Sequence, residues 1–227
     1  MKESFKILLK FPTRERPQKA LQTVANYINL AADNDNIVYL ISIDTNDRTM
    51  NNPVMIKRFE SLHNNVICIV AKSKNKIHAY NRDIDLVKKW DIVVAASDDM
   101  VCVCKGWDNV IRSEMFKRYP DTDGILHFND GYVKERLITL PILGRKYYDR
   151  FSYIYHYSYV SLWCDNEQME VAKQLKRITY NPKVLFKHEH FTNCSYVKRD
   201  ALIMKTESYF HVDQRNFNKR KRVNFEL

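Results

Sequence analysis

Glycine is scarce: the chain has four in 227 residues. That excludes a glycine-rich phosphate loop of the GxxxxGK[ST] kind and leaves no glycine-rich linker. No stretch of about 18 uninterrupted apolar residues occurs, so no transmembrane helix is expected. The start, "MKESFKILLKFP", has an apolar segment too short for a signal peptide and reads better as a first strand. Cysteine is sparse and odd in number: Cys68, Cys102, Cys104, Cys164 and Cys194. Scattered and without secretory context, these read as reduced thiols in a cytoplasmic protein. Cys102 and Cys104 would share one face of a continuing strand, but no second Cys/His pair stands at zinc spacing. Internal repeats and low-complexity segments are absent.

What is present is an ample core and an excess of positive charge. Hydrophobic residues make up 45% of a length that suits one domain. Lys and Arg number 37 against 27 Asp and Glu, a formal net charge of +10. Such an excess concerns association rather than fold. It favours a polyanionic partner: nucleic acid, an anionic membrane surface or a phosphorylated substrate. The densest run, "KRKR" at 219–222, reads equally as a solvated basic tail.

Apolar periodicity orders the elements. "FKILLKF" (5–11) is a strand, broken by "PTRERP". From Pro17, Leu21, Val24, Ala25 and Ile28 fall at helical spacing, with proline where a missing N–H costs nothing. "NIVYLISID" is a second strand, "NPVMIKRFESLH" a helix and "NVICIVA" a third strand. "KIHAYNRDIDLVKKW" (76–90) puts Ile77, Tyr80, Ile84 and Val87 on one helical face. "DIVVAA" is a fourth strand, "GWDNVIRSEMFKRY" a helix and "DGILHF" another strand. Such alternation predicts an α/β fold with a mostly parallel sheet covered by helices on both faces. Ligands of such sheets bind outside the carboxyl ends of the strands. There the sequence places "PTRERP", "DTND" and "SDDM". The Tyr-rich second half is more irregular.

In "SDDM", Asp98 and Asp99 follow a buried strand side by side. Adjacent carboxylates repel, and burial raises a carboxylate's pKa unless a cation stands beside it. A hard divalent ion, Mg2+ or Mn2+, held by one or two carboxylates and substrate phosphates answers both problems. A solvated turn capping the next helix is the plainer alternative.

These stretches, in this order, resemble a nucleotide-sugar glycosyltransferase of the GT-A fold, close to glycosyltransferase family 2. "FPTRERP" is similar to the family's first-strand loop, "ISIDTND" to the second-strand end where an Asp reads the base, and "SKNKIHAYNRDI" to an Asn/Arg-bearing helix. "SDDM" is similar to the D-x-D metal motif, with Ser97 in place of the first Asp. The segment ending in "CDNE" resembles the acceptor-side acidic motif, though without its usual Glu-Asp, and "VLFKHEHF" the late His-bearing strand. The resemblance covers about residues 5–191. It implies a GT-A, Rossmann-like sheet in one domain: a nucleotide-sugar half (1–105), an acceptor half (106–191) and a basic C-terminal tail (192–227).

The resemblance further implies roles. Asp99 is the first metal ligand, with Asp98 a second ligand or a ribose partner, and His188 or His190 a third ligand. The histidines could also simply lie exposed at a strand end. Pro12, Thr13, Arg14, Arg16, Asp44, Asn81, Arg82, Ser97 and Asp98 line the donor. Guanidinium groups suit a diphosphate, and Asp44 could accept the imide N–H of uracil or simply form an Asx turn. Asn81 and Arg82 could equally be a helix's wet face. Asp165 or Glu167 would deprotonate the acceptor hydroxyl, Asp165 first. Asp165 also fits a helix N-cap with Gln168 as its capping-box partner. The expected reaction is metal-dependent transfer from a UDP-sugar to a glycan or to hydroxymethylated bases of DNA, inverting if the displacement is direct. A nucleotidyltransferase would want a glycine- and lysine-rich first loop, which "FPTRERP" lacks. A non-catalytic nucleic-acid-binding module would explain the basicity but not the acidic edge.

Overall fold

Apolar side chains on both faces make a strand that only a doubly covered sheet can hold. The first strand, β1 (Ile7–Thr13), is of this kind, buried along nearly its whole length. In this computed structural model, which describes residues 5–227, β1 lies inside the chain's main sheet, with a strand on either side. The first four residues of the stretch weighed as a leader lie outside the described residues.

Three parallel strands join β1: β2 (Ile37–Asp44), β3 (Val66–Ala71) and β4 (Ile92–Ala95). Helices α1 (Pro17–Leu30), α2 (Pro53–Glu60) and α3 (Lys76–Asn81) connect them. Proline opens both α1 and α2, as the sequence predicts. Pro12 is tolerated because the β4 register ends at Lys10↔Ala95, so its missing N–H faces no partner strand. Alternate β1 residues feed two cores: Ile7, Leu9 and Phe11 pack beneath α1, while Leu8 faces α3.

The second half runs β5 (Met100–Cys102), α4 (Trp107–Arg118), β6 (Ile125–Asn129), β7 (Ile142–Gly144), α5 (Arg145–Asp149), α6 (Cys164–Gln174), β8 (Ile178–Val184), β9 (Phe186–His188), α7 (Ala201–Ser208) and α8 (Phe210–Arg222). The main sheet has order β3-β2-β1-β4-β7-β6-β8, and β7 alone runs antiparallel to its neighbours. β5 and β9 form a separate two-stranded ribbon. The predicted mostly parallel α/β sheet is what the chain builds.

Three expectations need correction. The helix predicted over 76–90 stops at Asn81, and Asp83 takes a left-handed φ of 71°. The buried Lys10 ammonium, 2.7 Å from the Arg82 carbonyl oxygen, takes the group that a continuing helix would use. Residues 192–227 are no loose tail: α8 buries Asp213, Phe217 and Arg220. β5 ends at Cys102, which is buried while Cys104 is partly exposed, so the two thiols share no strand face.

Candidate active site at the carboxyl edge of the sheet

The turn between β4 and β5 carries Ser97, Asp98 and Asp99, and buried neighbours fix its backbone. Thr23 donates to the Asp98 carbonyl oxygen at 3.1 Å, Tyr27 to that of Met100 at 2.9 Å and Tyr80 to that of Ala96 at 3.2 Å. The Glu189 N–H donates to the Asp99 carbonyl oxygen at 2.7 Å, binding the turn to the end of β9. So held, the two carboxylates diverge. Asp98 meets Arg16 at 3.0 Å. Asp99 accepts from the Ser97 hydroxyl and stands 3.6 Å from His188 Nε2. Burial and the Asp99 charge raise the Asp98 pKa against the pull of Arg16. Burial alone would raise Asp99 too, but His188 and Ser97 hold it well below the usual carboxylate range.

His188 lies between two carboxylates: its Nδ1 is 3.6 Å from Asp130 Oδ2. Asp130, at the end of β6, accepts backbone N–H groups of Tyr132 and Val133 at 2.9 and 2.7 Å and the Thr139 hydroxyl at 3.0 Å. Burial would lower the His188 pKa, yet Asp130 and Asp99 outweigh it and lift it to about 9. His190 stands beside it, ring centroids 5.5 Å apart, with Nδ1 2.8 Å from the Thr192 hydroxyl.

At the ends of β1 and β2, Arg14 bonds Asp44 and Asn46, both at 2.9 Å. Asp44 Oδ1 and the Thr13 hydroxyl remain buried without a hydrogen-bond partner, one at each strand end. Buried polar atoms in that state are open to water or to a ligand. Asp44 forms no side-chain turn: in "DTND" its backbone oxygen accepts the Asp47 N–H at 3.1 Å. Arg16 also holds both oxygens of Asp200, the N-cap of α7, at 2.7 and 2.8 Å. Asn81 is corrected: its amide donates to the Tyr155 carbonyl oxygen at 2.6 Å and accepts from Ile154 and Tyr155 N–H groups, so it pins a loop inside the protein. Arg82 likewise is spent on Ser73, Asp83 and the Ile43 carbonyl oxygen.

In the second half, α6 begins differently from the capping box expected. Its N-cap is Trp163, left-handed at φ 63°, and Gln168 donates to the Ile154 carbonyl oxygen at 2.6 Å. Asp165 sits in the first turn, partly exposed, within the field of Lys76 and His188. Burial raises its pKa, opposed by the Asn166 N–H and Lys76. Glu167 is turned inward: Arg220 Nε approaches its two oxygens at 2.9 and 2.7 Å, and the Tyr159 hydroxyl donates at 2.6 Å. A carboxylate so engaged is a structural anchor, which corrects its reading as a base. Asp130 and Lys76 were missed; the one signal was "NDG" directly after an apolar strand.

No family model and no curated protein matches the chain by sequence. The fold does have solved counterparts. It is similar to the mannosyltransferase PcManGT from Pyrobaculum calidifontis in complex with GDP-Man and Mn2+, with TM-score 0.64 and 14% identity, over 92% of this chain and 71% of that one. It is similar to S. aureus TarS at TM-score 0.62 and 12% identity, over 82% of this chain and 37% of that one. TarS 1-349 in complex with UDP gives 0.62 and 11%, over 80% and 60%. The chain thus spans less than two thirds of TarS. The fold is of the GT-A glycosyltransferase type.

A divalent metal fits the Asp99–His188 pair. Neighbouring ligands of an octahedral ion stand about 3 Å apart, close to the 3.6 Å between Asp99 Oδ2 and His188 Nε2. The other His188 nitrogen, buried without a hydrogen-bond partner, faces a carboxylate, the usual outer support of a metal-bound imidazole. Among the described residues no three His, Cys, Asp or Glu side chains cluster to hold an ion unaided. The remaining ligands would be phosphate oxygens and water.

Proposed function

We propose that this protein is a metal-dependent glycosyltransferase, moving a sugar from a nucleotide sugar, UDP-linked in the first instance, to an acceptor hydroxyl. The observation that carries the reading is the Asp99–His188–Asp130 row on the same sheet edge as the unpartnered Asp44 oxygen and the raised carboxylate of Asp165. Asp44 Oδ1 would accept an N–H of the base, and Thr13 would make a further bond to the donor. Arg16 would turn from Asp200 to the diphosphate, a bidentate match it already makes to a carboxylate. Asp99 and His188 would hold Mn2+ or Mg2+, whose charge stabilises the departing nucleoside diphosphate. Asp165, with a pKa above that of a free carboxylate, takes the acceptor's proton as the hydroxyl attacks the anomeric carbon. A single displacement on the far side of that carbon inverts its configuration.

The net charge of +10 favours a polyanionic acceptor, duplex DNA with hydroxymethylated bases before a neutral glycan. A base within a duplex would have to be flipped out to reach Asp165. The test is nucleoside diphosphate release from UDP- and GDP-sugars with Mn2+. Mn2+-dependent release is expected and should vanish in Asp99→Asn; no release from any donor would reject the reading.

A further inference from the structure

The chain on either side of Asp165 is gripped by one helix. Asp213 of α8 is fully buried, and its carboxylate accepts three successive backbone N–H groups: Val160 at 2.9 Å, Ser161 at 2.8 Å and Leu162 at 2.8 Å. One turn on, Phe217 packs against Trp163, ring centroids 5.3 Å apart. One turn further, Arg220 holds Glu167, two residues beyond Asp165. Asn216 reaches Ser158 at 2.7 Å. Asp213, Phe217 and Arg220 recur at helical spacing, so one stripe of α8 clasps the chain before and after Asp165.

What is clasped would not hold itself. Trp163 lies at φ 63°, a conformation that costs a large L side chain energy unless its surroundings impose it. A carboxylate that accepts three N–H groups and an arginine that bonds a buried glutamate are such surroundings. Arg220 also bonds Glu226 and the Phe225 carbonyl oxygen, which closes the C-terminal end of α8 over the same clasp.

We infer that α8 is a splint for the transfer reaction, with Asp213 and Arg220 as positioning residues that set Asp165 at the acceptor hydroxyl. This rests on the reading of Asp165 as the base. A chain shortened before α8 should keep its donor half and lose its aim.

A double-mutant cycle tests the inference. Nucleoside diphosphate release from the donor that the full chain accepts best is measured for Asp165→Asn, Asp213→Asn and the pair, beside calorimetric titration of UDP with Mn2+. Asp213→Asn keeps the shape but turns an acceptor oxygen into an N–H2 group facing backbone N–H donors. Displacing a catalytic group by about 1 Å costs about 100-fold in rate, and that drop is expected with UDP affinity unchanged. In the Asp165→Asn background the second substitution should add nothing. Asn218→Ala, on the exposed side of α8, should change neither quantity. If Asp213→Asn only lowers the melting temperature at normal turnover, or if its effect adds in full to that of Asp165→Asn, the splint is rejected while the base reading stands. If Asp165→Asn alone turns over normally, the base reading falls and the splint with it. Should Asp213→Asn not fold, Arg220→Lys carries the same cycle, because it keeps the charge and removes the fixed fork on Glu167.

Discussion

The two halves of the molecule are held together by different means. From β1 to β4 the chain is parallel strand and amphipathic helix, and apolar spacing accounts for most of the packing. From α4 onward, buried carboxylates and their partners do much of the fixing: Asp108 with Arg112, Asp123 with the exposed Arg150, Asp130 with its loop, Glu167 with Arg220 and Asp213 with residues 160–162. Of the described non-glycine residues with positive φ, only Glu15 and Asp83 precede Gly106; Thr122, Lys134, Ser152, Trp163 and others follow it. A hydrophobic strand tolerates exchange of one apolar side chain for another. A buried carboxylate aimed at three N–H groups tolerates almost nothing. The first half supplies a regular platform for the proposed nucleotide site, and the second an irregular surface that must be held in one shape.

The sharpest break should come at Asp99, where the halves meet through His188. Asp99→Asn removes the charge facing the imidazole but leaves the turn's backbone bonds intact. Calorimetry should show metal-dependent UDP binding abolished in a folded protein. Unchanged affinity would mean that the metal site lies elsewhere.

Within α6 the same contrast can be drawn two residues apart. Asp165→Asn should lower turnover by about 100- to 10,000-fold at normal stability, the range of general-base catalysis. Glu167→Gln should do the reverse first. It leaves the buried Arg220 with only the exposed Glu226 as counter-charge, a loss of at most about 3 to 5 kcal/mol. Chemical denaturation beside a rate assay separates the two. A stable Glu167→Gln whose turnover falls further than that of Asp165→Asn, beyond the loss expected from a loosened clasp, would exchange the roles.

His188 provides a pH test of the seam. Its folded pKa of about 9 lies above the ordinary value of 6.5. The stability it contributes without metal is therefore complete below pH 6.5 and is lost as pH rises to 9, up to about 3 kcal/mol. Mn2+ affinity should climb over that same window, because the imidazole must shed its proton to bind metal. Denaturation midpoints between pH 6 and 9 should show the slope, and His188→Gln should flatten it.

How much could be read beforehand follows the same division. Strand and helix in the first half are written as period 2 or 3.6, so β1 to β4 and α1 were legible, as were the carboxylates at their ends. The break after Asn81 was not, because it depends on Lys10, about seventy residues away and buried. The motif offered Asp165 and Glu167 alike as bases, and only Arg220 in place shows that Glu167 is engaged elsewhere. Asp130 and Asp213 look like any solvated acid in sequence. Only the fold shows which N–H groups they meet.

The C-terminal charge gives the mildest test, and the fold changes its terms. Of the "KRKR" run, Arg220 is buried on Glu167 and Lys221 lies 3.7 Å from Glu170, so neither is a free cation. Lys198, Lys219 and Arg222 are exposed. Positive charge also stands at the sheet edge, in the exposed Lys72, Lys74 and Lys76, beyond the two arginines that the sequence placed there among the acids. A polyanionic acceptor would then be met from both halves. Replacing Lys198, Lys219 and Arg222 with Ser should flatten the slope of log affinity against log salt for duplex DNA by about 0.9 for each phosphate no longer neutralised. Replacing the three edge lysines should flatten it similarly, and UDP binding should survive the first set. Anisotropy titrations at several salt concentrations read both. If the C-terminal set alone matters, the second half carries the acceptor by itself. If the intact chain binds no DNA at low salt, the nucleic-acid acceptor is rejected, a glycan or lipid-linked acceptor becomes the better reading, and the basic surface serves another purpose.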